Sequence, residues 1–388
     1  MMRSAATDDP SAQGFGFADR LARELAANGS IRTTAWQQAF AHVPRHLFVS
    51  AFHVRTPQGT VAYTPRSPGW WEAIYSDETL ITRFSSEGLA ISSSTEPSLM
   101  ALMLEHLRVE DGMKVLEVGT GTGYNAALLS QRLGSALVTS IDVDDALVTR
   151  ARKALGSAGH RPTLAATDGA RGYQNNAPYQ RILATCGLGR VPTAWLDQLD
   201  EGGLILANVG LGLARLRKEP DGRACGRFLP DSAGFMRLRS PSAPGVPTLD
   251  QVLSATSGEP ERVRRVDRVH GLEDRPMSEF LLSILLPYGL RVVQHREEHE
   301  VHCVLDGASG AWLRAEIDTE GRGTVAESGA HGLWDSYGTL LRAWHEAGRP
   351  GIGRYGLTVA PSGKHYLWLD RPHPSDTSDP SHPGQWQV

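Results

Sequence analysis

The stretch Val115-Leu116-Glu117-Val118-Gly119-Thr120-Gly121-Thr122-Gly123-Tyr124-Asn125 decides the fold of this chain. Residues 114–118 read as a short apolar strand, and the glycines as a turn into a helix over 126–133. Glycine adopts positive φ without strain and lets a backbone approach a ligand closely. The spacing is GxGxG rather than the wider GxGxxG of dinucleotide enzymes. An acid, Glu117, stands at the end of the strand. It would repel a pyrophosphate but suit the cationic methionine end of S-adenosylmethionine, directly or by fixing the loop. A plain strand-to-helix turn is the bland alternative.

Two further strand ends carry suitable chemistry. A strand over 137–141 ends at Asp142, followed by Val143, about 20 residues beyond the glycines, where an acid accepts ribose hydroxyls in nucleotide folds. Helix capping competes for that position, but Asp144 or Asp145 would serve it better. A strand over 163–166 leads to Asp168-Gly169, where the acid can accept the adenine amino group and the glycine leaves room for the ring. The cofactor-binding set is therefore Glu117, Gly119, Thr120, Gly121, Thr122, Gly123, Asp142, Val143, Asp168 and Gly169, and the cofactor is S-adenosyl-L-methionine. Three acid-tipped strands on one sheet edge make a methyltransferase site the leading reading.

Around this core, strands alternate with helices, which predicts an α/β fold with a mostly parallel, doubly wound sheet. At 388 residues the chain exceeds a usual single domain. The Pro/Ser/Gly-rich stretch after Arg239 is the best linker. The expected organisation is a flexible tail 1–15, a methyltransferase domain 16–240, a linker 241–248, a smaller α+β domain 249–372 and a disordered tail 373–388. Residues 53–90 read as irregular structure with short strands. The smaller domain offers no motif that converts into chemistry; substrate recognition, by β-addition or in a groove, and dimerisation compete evenly for it.

Lys and Arg total 39 against 43 Asp and Glu, so nothing points to nucleic acid or an anionic membrane as partner. Cys186, Cys225 and Cys303 lack a CxxC spacing, which suits a reducing compartment and excludes a disulfide framework. The N-terminus lacks the apolar core of a signal peptide, and the expected location is cytoplasmic. No metal is expected, because His270, His295, His299, His302 and His365 lack a tight ligand spacing. Cys186 reads as a small apolar filler rather than a nucleophile. Trp70 and Trp71 could line a peptide groove or pack in the core.

Several ordered segments, taken jointly, resemble the protein-L-isoaspartate O-methyltransferases over about residues 20 to 240. They are Val43-Pro44-Arg45-His46-Leu47-Phe48-Val49, Thr95-Glu96-Pro97, the glycine turn, Asp168-Gly169 with Ala177-Pro178-Tyr179, residues 181–185 and residues 192–203. The resemblance implies a Rossmann-like class I methyltransferase fold and esterification of an isoaspartyl carboxylate. It also implies a hydroxyl two residues before the proline, beside the transferred methyl. That position is Thr95, expected to touch both substrate and cofactor, with Ser94 beside it as a second catalytic candidate. The family carries serine there, so Thr95 and Glu96 put substrate identity in question rather than reaction type.

The chain is also similar to C-terminally extended members that methylate an aspartate in ribosomally synthesised peptide precursors, leading to an aspartimide. Gly226 to Pro230, and the end from Gly332-Leu333-Trp334-Asp335 to Trp368-Leu369-Asp370, carry that likeness. The partner is then a peptide or protein bearing Asp or isoAsp, with oligomeric state open. General isoaspartate repair is the alternative. A non-catalytic adaptor and a nicotinamide oxidoreductase are the remaining readings.

Overall fold

The apolar spacing near the N-terminus becomes two packed helices, α1 (Pro10–Ala27) and α2 (Thr34–His42), which bury Leu21, Leu25, Trp36 and Phe40. The structure, a computed structural model, describes residues 10–241, 243–329, 332–372 and 384–388. It divides the chain into two units. The first comprises Met1–Cys186, Ala194–Ala207 and Leu238–Ser240, and the second Gly187–Thr193, Asn208–Arg237 and Pro241–Val388.

In the first unit, residues 52–94 are more ordered than their sequence pattern suggested. They form β1 (Phe52–Thr56), β2 (Gly59–Tyr63), the short helix α3 (Trp70–Ile74), β3 (Leu80–Phe84) and β4 (Ala90–Ser94). The four strands make an antiparallel sheet in the order β2-β1-β3-β4. Pro97 opens α4 (Pro97–Leu107), where the missing N–H of proline costs nothing. Met100, Met103, Leu104 and Leu107 are buried along one face.

Next come β5 (Val115–Val118), α5 (Tyr124–Leu133), β6 (Val138–Asp142), α6 (Asp145–Ser157), β7 (Thr163–Ala166), β8 (Tyr179–Leu188), α7 (Thr193–Gln198) and β9 (Leu199–Val209). Within the first unit the strand order is β9-β8-β5-β6-β7. β5 runs parallel to both β6 and β8, and β6 to β7. This is the mostly parallel, helix-covered α/β arrangement expected of a Rossmann-like methyltransferase, and the central strand β5 is buried at every residue. Its carboxyl end therefore sits mid-sheet.

The second unit contains β10 (Gly212–Lys218), β11 (Ala224–Ser232), α8 (Leu249–Thr256), β12 (Arg262–Val266), α9 (Arg275–Leu285), β13 (Gly289–His295), β14 (His299–Asp306), β15 (Trp312–Asp318), β16 (Gly323–Ser328), α10 (Leu333–Glu346), β17 (Tyr355–Val359), β18 (His365–Leu369) and β19 (Gln385–Gln387). β12-β16-β15-β14-β13 form an antiparallel sheet, and Val252 of α8 packs on Val301 and Cys303. Thr248 and Gln251 cap α8 reciprocally.

Three boundaries differ from expectation. α1 begins at Pro10, inside the expected tail 1–15, of which residues 1–9 lie outside the described residues. The β10–β11 hairpin groups with the second unit rather than with 16–240, because β11 pairs with β17. Residues 373–383 of the expected disordered tail lie outside the described residues. Beyond them β19 pairs with β18, placing Trp386 opposite Leu367. Among the described residues no helix is long and apolar enough to cross a membrane.

Gly226 shows how tightly the β10–β11 hairpin is drawn. A Cβ there would lie 1.9 Å from the Arg215 carbonyl oxygen, a backbone atom that cannot rotate away. Gly226→Ala should therefore destabilise the second unit by on the order of 2–4 kcal/mol, read as a lower urea midpoint. An unchanged midpoint would show that the hairpin can open at no cost.

Candidate active site

The glycine turn leaves β5 in a conformation open to few side chains. Gly119, Gly121 and Gly123 have φ of 106°, 51° and 86°. At Gly119 a Cβ would also meet the Thr185 hydroxyl oxygen at 2.7 Å. At Gly121 the nearest atom to such a Cβ is the Ser93 carbonyl oxygen at 3.7 Å, so this part of the turn offers open backbone. Thr120 is buried, whereas Thr122 is half-buried.

Glu117 does not face that opening. It is fully buried; its Oε1 accepts from Asn125 Nδ2 at 2.7 Å and its Oε2 from Ser140 Oγ at 2.5 Å. Thr120 Oγ1 lies 2.6 Å from the same Ser140 hydroxyl. The chain Thr120–Ser140–Glu117–Asn125 thus ties the turn to β6 and α5. Of the two roles open to this acid, its geometry matches fixing of the loop. Burial pushes the Glu117 carboxyl up to about 7, opposed by its two hydrogen bonds and aided by the charge of Asp142.

Asp142 is half-buried at the tip of β6 and organises two loops. Its Oδ2 accepts from the Gly121 N–H at 3.0 Å and its Oδ1 from the Asp144 N–H at 3.1 Å. Val143 is exposed beside it. Asp144 caps α6 and pairs with Arg83 of β3, which links the four-stranded sheet to this loop. At the next strand tip, Asp168 Oδ1 accepts from the Ala170 N–H at 3.0 Å. Gly169 has no room for a Cβ, which would fall 2.7 Å from both Val118 Cγ1 and Leu238 Cδ1. Open backbone at Gly121 and acids at the tips of β6 and β7 fit an adenosyl ligand, whereas the space beside Gly169 that the sequence reading gave to the ring is filled by Val118 and Leu238.

Thr95 joins β4 to α4. Burial along β4 alternates, with Ser92 and Ser94 inward and Ser93 outward. Thr95 is half-buried and its hydroxyl has no hydrogen-bond partner among the described residues, whereas Ser94 is buried and its Oγ accepts from Arg45 Nε at 3.3 Å. Ser94, the second catalytic candidate, faces inward and supports Arg45.

Arg45 is the site residue whose role the sequence did not disclose, although it stood in the quoted Val43–Val49 segment. It is fully buried. Its Nη1 donates to the carbonyls of Ile74 and Ser76 at 3.2 and 3.0 Å. Its Nη2 donates to those of Glu78, Ser94 and Thr95 at 3.1, 3.3 and 3.0 Å. Burial lowers its pKa to about 10, still far above neutrality, so the group remains charged.

Other candidates pack rather than react. Cys186 is buried, its thiol pushed up to about 12 by burial. Trp70 is buried and donates to the Ser50 carbonyl at 2.9 Å, while Trp71 stacks on Phe17. His302 and His365 are buried in the second unit, and burial holds both near 4 and therefore neutral.

Two outcomes follow from these buried groups. Arg45→Lys removes the planar fork and strands several carbonyls, so stability should fall by on the order of 2–4 kcal/mol in urea unfolding. No change would mean those carbonyls find other donors. Glu117 holds a proton in the folded state that the unfolded chain releases near its ordinary pKa of 4.5. Stability should therefore decline as pH rises from about 5 to about 7, by at most on the order of 3 kcal/mol. Glu117→Gln should flatten that part of the urea-midpoint profile, and an equally steep profile in the variant would assign the slope to other groups.

The family described as protein-L-isoaspartate(D-aspartate) O-methyltransferase matches residues 18–227. The protein-L-isoaspartate O-methyltransferase of Thermococcus sibiricus is 37% identical over 193 residues, which are 49% of this chain and 76% of that protein. Its counterpart in Methanosarcina mazei is 34% identical over 191 residues, 48% of this chain and 69% of that protein. A solved structure described as a protein-L-isoaspartate O-methyltransferase aligns with a TM-score of 0.55 and 21% identity, covering 91% of this chain and all of its own, a likeness of fold. Because the matched span holds Arg45, Thr95, the glycine turn and both acidic strand tips, the chain belongs to the protein-L-isoaspartate(D-aspartate) O-methyltransferase family of enzymes, whose cofactor is S-adenosyl-L-methionine.

Proposed function

We propose that the chain esterifies the side-chain carboxylate of an isoaspartyl or aspartyl residue in a polypeptide. The observation that carries this reading is the placement of Thr95. Its backbone is held by Arg45, its hydroxyl has no hydrogen-bond partner among the described residues, and the neighbouring Ser93 carbonyl oxygen is the nearest atom to a Cβ placed at Gly121. S-adenosyl-L-methionine supplies an electrophilic methyl group. The acceptor carboxylate is already ionised at neutral pH, since its ordinary pKa is about 4, so no general base is needed. The chain's task is orientation and exclusion of water. Thr95 would donate its hydroxyl to the acceptor carboxylate or to the donor's carboxyl and hold the reacting oxygen in line.

The ester prepares a second step. The backbone nitrogen of the following residue attacks the ester carbonyl, a C–N bond forms, the C–OCH3 bond breaks, and methanol leaves with the amide proton. The product is a five-membered succinimide. General isoaspartate repair is the reading best supported by the family match. The narrower reading places the chain in maturation of a ribosomally synthesised peptide at an ordinary aspartate. It rests on the likeness of Gly226–Pro230 and of the C-terminal segments. The second unit does not by itself favour it, since a solved relative in fold spans 91% of this chain.

Mass spectrometry of a short isoaspartyl peptide and of its aspartyl counterpart separates the readings. Repair predicts gain of one methylene and then loss of methanol on the isoaspartyl peptide alone. A maturation enzyme would leave both short peptides unmodified and act only on an aspartate-bearing precursor. Thr95→Ala should slow turnover by on the order of 100-fold while Thr95→Ser retains most of it. Full turnover by Thr95→Ala would remove Thr95 from the chemistry.

A further inference from the structure

The family match ends at residue 227, yet three residues beyond it reach the acidic strand tips. Leu238-Arg239-Ser240 groups with the first unit although the residues on both sides of it group with the second. Ser240 Oγ donates to Asp168 Oδ2 at 2.8 Å. Since Oδ1 already accepts from the Ala170 N–H, the carboxylate is held from two sides in one rotamer. Leu238 Cδ1 occupies the space a side chain at Gly169 would need. Arg239 Nη2 lies 3.9 Å from Asp142 Oδ1 at the other acidic tip.

We propose that Leu238-Arg239-Ser240 is a specificity element for the nucleoside end of the cofactor. Ser240 is the positioning residue: it fixes Asp168 so that the carboxylate accepts from an exocyclic amino group and rejects a ring bearing a carbonyl there. Leu238 supplies the apolar neighbour on which a purine face can lie, and Arg239 holds the segment against the ribose-binding acid through its ion pair. An acid that merely lies nearby could swing away from a mismatched base. One clamped by Ala170 and Ser240 cannot, and a fixed carboxylate left facing a carbonyl oxygen gains no hydrogen bond and is repelled. The inference rests on Asp142 and Asp168 as the ribose and adenine acceptors.

The test is calorimetric titration of the full-length chain with S-adenosylhomocysteine and with its inosine counterpart, which carries a 6-oxo group in place of the amine. The wild type should prefer the adenosine ligand by on the order of 10- to 100-fold. Ser240→Ala should weaken the adenosine ligand several-fold and leave the inosine ligand nearly unchanged, so that the ratio shrinks; Ser240→Thr should restore it. Arg239→Ala should weaken both ligands alike. Equal losses on both ligands in Ser240→Ala would reduce Ser240 to a structural role and overturn the proposal. A wild type that binds both ligands equally, or neither, would instead overturn the reading of Asp168 itself.

Discussion

A fully buried guanidinium holds the segment that carries Thr95. Arg45 lies on the short turn after α2, and the acceptors of its five N–H groups are the carbonyls of residues 74, 76, 78, 94 and 95 and one serine hydroxyl. None of those acceptors is a carboxylate. Burying a charge without a counter-ion is costly, and it persists only where hydrogen bonds replace the lost water. The reverse also holds: five backbone carbonyls from two separate segments have their partners only if the fork is in place. The exit from α3 and the junction of β4 with α4 are therefore positioned by the same group. Thr95 inherits its place from that arrangement.

A buried acid holds the glycine turn in a similar way, its carboxyl pushed up to about 7 by burial. Glu117 is buried at the end of the central strand, and two neutral side chains, Asn125 and Ser140, donate to it. Through Ser140 it reaches Thr120, and so the turn that carries the three positive-φ glycines. An exposed acid at that point would hold the loop weakly, because water would compete for each hydrogen bond. Here it is screened from water, and each of its oxygens is engaged. The glycine turn and the Thr95 segment are thus each held by a buried polar group.

The glycine turn and the acids at 142 and 168 were legible because each is a local pattern. A strand tip is marked by where an apolar run stops, and positive φ is marked by glycine. The sheet over 52–94 carried no such mark. β2 is almost wholly exposed, so it has no apolar alternation, and only its pairing with β1 makes it a strand. Arg45 was not legible as a buried group because charged side chains default to the surface. The inward turn of Ser94 was not legible either, because Leu89 and Ile91 share their face with Ser93 and Thr95, and alternation alone would bury that face, yet Ser92 and Ser94 are the buried pair. The segment 238–240 was hidden for another reason: nothing in Leu-Arg-Ser distinguishes it until the chain returns to Asp168.

The protonation states of the buried groups bear on the chemistry proposed for this site. A methyltransferase acting on an alcohol or an amine must remove a proton and needs a base with a pKa near the working pH, within reach of the acceptor. Glu117 has such a pKa, but it is fully buried and both of its oxygens are already bonded inside the fold. Cys186 lies near the end of β8 with its thiol raised to about 12, and it is buried against the Val118 carbonyl. Neither can relay a proton to an acceptor at Thr95 without breaking the network that shapes the turn. A carboxylate acceptor carries its own charge and asks for no relay. The buried acid at 117 is therefore left to serve the loop alone.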